Sequence, residues 1–315
     1  MIGLNGHRAT TFPAFSPDGR FLAAVWDHHQ VAVWNLTDPT REPLVRVFPV
    51  GTGTVLCLTF LPDGRLFGAD EDGGWSMVAP LTGTFRRPQG GEICNGCAVS
   101  PDGLLAVGCG WRLWRVHLDP RDVGQDELPR PRELADGFEM LAKRGDQPLA
   151  SVCWAPDGQF LAVASSARPL PGQELERQRV EVRNLSGDLV RVAAETSAPS
   201  RSDLWPMPLL WTADGRHLVA LFGRRLHVWA ADTGAPVVEE GDREDVVSVA
   251  AAPDGRFVLT GDKSGAVVAH ETSSGRVVRS LQLEIGPVTG LAVTPDGLTA
   301  AAGGERGAVV FDLDF

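Results

Sequence analysis

Tyrosine is absent from the 315 residues, and lysine nearly so: Lys143 and Lys263 are the only two among 29 basic residues. With alanine, glycine and proline abundant, that usage reads as a GC-rich bacterial gene. A surplus of positive charge is also missing. The net charge of -11 repels nucleic-acid phosphates and anionic membrane surfaces, so neither is expected as a partner. No run of about 18 apolar residues occurs, so no membrane-spanning helix is expected. The opening MIGLNGHRATTF lacks the basic-then-apolar order of a signal peptide. Five cysteines (Cys57, Cys94, Cys97, Cys109, Cys153) are an odd number in a chain too long to be a disulfide scaffold. A reducing cytoplasm is the expected compartment. The GxSxG of hydrolases, the GxxxxGK of phosphate loops and the HExxH of zincins are missing as well.

What is present is repetition. Pro-Asp-Gly begins at Pro17, Pro62, Pro101, Pro156, Pro253 and Pro295, and Ala213-Asp214-Gly215 is a degenerate seventh copy. Successive starts are 45, 39, 55, 57, 40 and 42 residues apart. Repeats of about 40–45 residues suit four short strands per propeller blade. An apolar run such as VLCLTFL precedes each turn, a second such as FLAAVW follows, and a third such as VAVWNL comes next. Most are short, rich in Val, Leu, Phe and Trp, and bounded by Gly, Asp or Asn, as strands are. Asp-Gly between two strands marks a tight turn, because glycine accepts the positive φ required there. The first two runs are apolar on both faces, which suits sheets packed between neighbours. A parallel α/β fold would need crossover helices, and the gaps are mostly too short. Phe138–Lys143 is long enough for one helical turn.

The segments SPDGRFLAAVWDHHQVAVWNL (Ser16–Leu36) and APDGRFVLTGDKSGAVVAHETSSG (Ala252–Gly275) resemble WD-repeat units. The resemblance recurs along essentially the whole chain. It implies one domain over residues 1–315: an all-β seven-bladed β-propeller with four antiparallel strands, a to d, per blade. The ring is expected to be closed by the N-terminal strand, Met1–Leu4, pairing with Ala308–Leu313 of the last blade. The family pattern is degenerate here. Gly6-His7 occurs once, Asp72 falls at the turn-aspartate position, and the third-strand tryptophan survives as Trp34, Trp114 and Trp229 without a following aspartate. Apolar packing is therefore expected to carry the blades.

Residues that suggest chemistry have plainer roles. Cys94 and Cys97 form a CxxC, but they stand where Val55 and Leu58 stand in the previous repeat. No second CxxC or CxxH completes a zinc set. Adjacent His28 and His29 point apart on an extended chain. Asp18, Asp63, Asp102, Asp157, Asp214, Asp254 and Asp296 recur with the repeat, which marks turn-formers rather than acids. No catalytic residue, metal or cofactor is therefore expected.

Departures from the repeat carry the functional reading. In a blade of order a-b-c-d, the b–c and d–a connections share one face. The third and fourth repeats are long: Asp119–Pro148 separates strand c of the third blade from strand a of the fourth and includes one strand d, Ser166–Gln178 expands a b–c loop, and Glu195–Pro206 expands a d–a loop. Loops on a rigid scaffold carry function. A non-catalytic, monomeric protein-interaction scaffold is expected, with a protein or peptide partner held by Trp26, Arg168, Trp205, Arg224 and Arg225 on that face. The alternatives are a lactonase-like propeller enzyme and a small-ligand sensor at the central channel.

Overall fold

The computed structural model describes residues 2–4, 9–37, 43–50, 53–72, 75–78, 85–86, 94–103, 105–109, 112–116, 138–143, 149–167, 175–199, 208–222, 225–239 and 245–314. Their 28 strands form seven separate four-stranded sheets, and every ladder is antiparallel. The arrangement is a β-propeller. Six sheets, here called first to sixth in chain order, are each built from four consecutive strands. The remaining sheet is composite. Val288–Val293, Thr299–Gly304 and Gly307–Asp312 come from the end of the chain, and Ile2–Leu4 supplies the outer strand.

This corrects the expected closure. Blades built wholly from consecutive chain number six, not seven. The pairing of Ile2 with Val310, Gly3 with Val309 and Leu4 with Ala308 completes the composite sheet and nothing more. No ladder joins one sheet to the next among the described residues, so strand pairing does not close the sheets into a ring. The physical reason lies in the geometry of the sheet. Ladder hydrogen bonds run within a sheet, and neighbouring sheets meet through their side chains.

The period-2 alternation of a strand shows how both faces are filled. In strand b of the first sheet, Phe21–Trp26, Leu22 and Ala24 pack with Leu4, Ala301, Ala308 and Val310 of the composite sheet. Ala23 and Val25 point the other way, onto Val55, Phe60, Leu66 and Val78 of the second. Each such Leu or Val contributes about 1.5–3 kcal/mol by leaving water. Similar clusters join the third sheet to the fourth, the fourth to the fifth, the fifth to the sixth and the sixth to the composite. The inner strands approach closely. A Cβ on Gly290 would lie 2.4 Å from Cδ of Pro13, so only glycine fits at that contact.

Apolar packing does not act alone, contrary to expectation. Polar side chains tie sheet to sheet. Ser248 Oγ donates to Val288 O at 2.6 Å, Asn95 Nδ2 to Leu149 O at 2.9 Å, and Trp154 Nε1 to Ala98 O at 3.2 Å. At the junction of the chain ends, Thr10 Oγ1 donates to Gly307 O at 2.6 Å and accepts from Gly304 N at 3.2 Å. Within the sixth sheet, buried His270 sits 3.0 Å from Thr260 Oγ1 through Nε2.

The Asp-Gly turns behave as turn-formers. Gly19, Gly64, Gly103, Gly158, Gly215, Gly255 and Gly297 all have positive φ. Asp18, Asp63, Asp157, Asp214, Asp254 and Asp296 each accept the backbone N–H two residues on. Asp102 accepts from the Ser100 hydroxyl.

Two expectations about local structure are overturned. Phe138–Lys143 is not a helical turn but strand d of the third sheet, paired with Arg112–Val116. Six residues are too few to sustain a helix unaided, and an open sheet edge is adjacent. The expected loops at Ser166–Gln178 and Glu195–Pro206 are partly strand.

Candidate interaction surface

Most strands have six residues or fewer. In the fourth sheet strand b, Phe160–Ala167, has 8, strand c, Leu175–Asn184, has 10, and strand d, Leu189–Pro199, has 11. The extra length lies at the b–c and d–a end. Ala167 pairs with Arg177 there, and strand c pairs with strand d out to Leu175 and Pro199. The ladder thus carries a three-stranded ribbon out of the face that was expected to bear loops. A hydrogen-bonded ribbon holds its side chains more rigidly than a loop of the same length.

The charges of the ribbon follow its pleat. Arg177, Arg179, Glu181 and Arg183 alternate along strand c and so share one side of it. Glu181 is only 1% exposed, and a buried carboxylate needs partners. Arg183 supplies two donors to Glu181 Oε2, Nε at 3.1 Å and Nη2 at 2.8 Å, and also donates from Nη1 to Gly187 O at 2.6 Å. Arg179 Nε lies 3.0 Å from Glu181 Oε1. Further out, exposed Arg177 donates to Glu195 Oε1 at 2.7 Å. The buried end of this row is structural, and the exposed end is available to a partner.

Of the expected anchors, Arg225 begins strand c of the fifth sheet, next to the ribbon, and is half-buried. Trp26 ends strand b of the first sheet and is half-buried rather than free. Its ring stacks on Trp34 with centroids 6.1 Å apart. The first and fourth sheets are not neighbours, so Trp26 does not join the ribbon. Arg168, Trp205 and Arg224 lie outside the described residues. Sequence reasoning missed Arg177 and Glu195, because a polar stretch containing SARPLPGQ reads as loop. The alternation LERQRVEV was the available signal.

The other candidates stand as follows. His28 and His29 are exposed in a b–c turn, and their carbonyls accept Val55 N at 2.7 Å and Val50 N at 3.2 Å. Asp27 and His28 have φ of 58° and 67°. Asp72 is exposed. The carboxylate that caps its turn is that of Asp70, which accepts Asp72 N at 3.1 Å. Cys57, Cys97 and Cys153 lie on inner strands and are in no disulfide, and burial pushes the Cys153 thiol well above its usual range. The side chain of Cys94 lies outside the described residues. The seven inner strands carry no Asp, Glu, His, Lys or Arg. Among the described residues no three His, Cys, Asp or Glu side chains gather as a metal site. No helix there is long and apolar enough to cross a membrane. No family model matches the chain, and neither does any curated protein. Architecture therefore fixes what the chain is, a β-propeller built from repeats.

Proposed function

We propose that the protein is a non-catalytic, monomeric interaction scaffold of WD-type repeats that works in a bacterial cytoplasm. Its partner, a protein or peptide, docks on the face that bears the b–c and d–a connections. The fourth-sheet ribbon carries this reading: three paired strands stand out of one face and present Arg177 and Glu195 to solvent. Arginine is enriched among the residues that dominate binding energy, as is tryptophan. Arg168 follows Ala167, the last residue of strand b, in the sequence, and it belongs to the proposed surface with Trp205, Arg224 and Arg225.

The test is affinity capture from the native cell, followed by titration with the captured partner. Arg177→Glu, Arg168→Glu or Trp205→Ala should weaken binding about thirtyfold, which corresponds to about 2 kcal/mol, while melting stays near wild type. Arg20→Glu and Arg256→Glu lie beside the Asp-Gly turns of the opposite face and should leave binding unchanged. If the opposite-face variants abolish capture and the ribbon variants do not, the face is misassigned.

A further inference from the structure

One rung of the third sheet joins two cysteines. Cys94 opens its inner strand, Cys94–Val99, and is the register partner of Cys109, the last residue of strand b, Leu105–Cys109. The next pair is Gly96 with Gly108, so Asn95 is an extra residue directly after the rung. The same rung recurs in four other sheets, each time just before an extra residue. It holds Val55 with Asp70, Leu149 with Ser165, Val246 with Asp262, and Val288 with Gly304. Among these five rungs, only that of the third sheet has a thiol-bearing residue at both ends. The remaining cysteines face other partners across their ladders: Cys57 faces Ala69, Cys97 faces Val107 and Cys153 faces Ala162.

Directly opposed residues of an antiparallel pair have Cα atoms roughly 4.5 or 5.5 Å apart. A disulfide accepts Cα separations of roughly 4.4–6.8 Å. The rung therefore falls within the Cα separation that a disulfide accepts, whichever kind of rung it is. We propose that Cys94 and Cys109 form a reversible cross-strand disulfide when the protein meets hydrogen peroxide. One thiolate attacks the peroxide O–O bond, giving a sulfenic acid and hydroxide, which takes up a proton as water. The opposing thiol then attacks the sulfenic sulfur and displaces a second water. Two thiols and one peroxide become one disulfide and two waters: each sulfur gives up one electron and the peroxide takes both. A cellular dithiol reverses the step by exchange. Cys94 begins a strand a and Cys109 ends a strand b, so the bond lies at the face that bears the b–c and d–a connections. The inference rests on the register alone and not on the proposed partner.

The experiment uses the full chain. Fully reduced protein is treated with a small excess of peroxide, the remaining thiols are alkylated, and the intact mass and peptides are read. Trypsin leaves Cys94, Cys97 and Cys109 in one peptide, so cleavage before Asp102 is needed to separate Cys109 from the other two. A loss of two mass units is expected, with the link between Cys109 and the Cys94–Cys97 fragment. That link should persist in Cys97→Ser and vanish in Cys94→Ser and Cys109→Ser. The oxidised protein should melt several degrees above the reduced form, and dithiothreitol should reverse the shift. A link that survives in Cys94→Ser, or oxidation to sulfinic acid with no link, overturns the proposal.

Discussion

At the scale of single residues, the fourth sheet shows how a charge is held inside an apolar stack. Glu181 is buried between Arg179 and Arg183. Removing the carboxylate leaves Arg183 with Gly187 O and Arg179 with Glu195 at 3.9 Å, both arginines partly exposed, so the loss falls at or below the lower end of the about 3–5 kcal/mol typical of breaking a buried pair. Glu181→Ala should therefore lower the unfolding free energy by about that lower figure in a denaturant titration. A loss under about 1 kcal/mol would mean that the arginines turn out to solvent instead. His28 offers the opposite sign. It holds a φ of 67°, where a side chain costs about 1–2 kcal/mol that glycine avoids. His28→Gly should raise stability by up to about that much, and a fall would show that the imidazole makes a compensating contact. Neither residue's role was legible in the sequence. Glu181 reads as one polar position in an alternating run, and its burial follows only from the neighbouring sheet. The sequence assigns His28 no role, whereas the turn uses its backbone.

At the scale of elements, the Asp-Gly turns were the most legible feature, because the whole signal lies in three adjacent residues. The structure adds the hydroxyl that precedes them. Thr294 Oγ1 donates to Asp296 at 2.6 Å and Ser16 Oγ to Asp18 at 2.6 Å. Those hydroxyl bonds, helped by the N–H groups of Leu298 and Arg20, hold both carboxyls below their ordinary range. A carboxyl with a depressed folded value stabilises the fold above its unfolded value near pH 4 and loses that contribution as pH falls through the folded value. Thr294→Val should therefore reduce stability at neutral pH and much less at pH 2–3. A deficit that stays constant with pH would place the loss in the bond that the hydroxyl accepts from Thr299 N at 3.0 Å instead. Two other elements were less legible. Phe138–Lys143 is long enough for one helical turn, and the free edge of Arg112–Val116 makes it the strand d that Asp119–Pro148 was expected to include. The ribbon was read as loop because Pro and Ser crowd its ends, while its middle alternates.

At the scale of the whole molecule, the repeat made the propeller legible and left the joining of its ends to be seen. The expected pairing was Met1–Leu4 with Ala308–Leu313; the structure pairs Ile2–Leu4 with Ala308–Val310, which completes one sheet and does not close the ring. Thr10 reaches Gly304 and Gly307 across the junction, and Thr289 Oγ1 reaches Thr10 O at 3.1 Å. No local spacing encodes contacts between residues so far apart. Deleting residues 1–5 exposes the edge of Gly307–Asp312 and the buried Ala308 and Val310. The melting temperature should fall by several degrees, and an unchanged value would show that the outer strand is dispensable. Thr10→Val tests the junction separately. It removes the hydroxyl but keeps the shape, and should cost about 1–3 kcal/mol by leaving buried backbone groups unpaired.

The composite sheet also sets an order of events during synthesis. A ribosome makes Ile2–Leu4 well before Gly307–Asp312, so the earlier strand waits for all the sheets between them before it can pair. The six consecutive sheets can form as their strands emerge, but the junction cannot. Its loop-closure entropy is met in one late step, and until then the outer face of the first sheet stays open to water and to other nascent chains. A chain released early, short of its last strands, carries that uncovered face as a mark that a chaperone or protease can read.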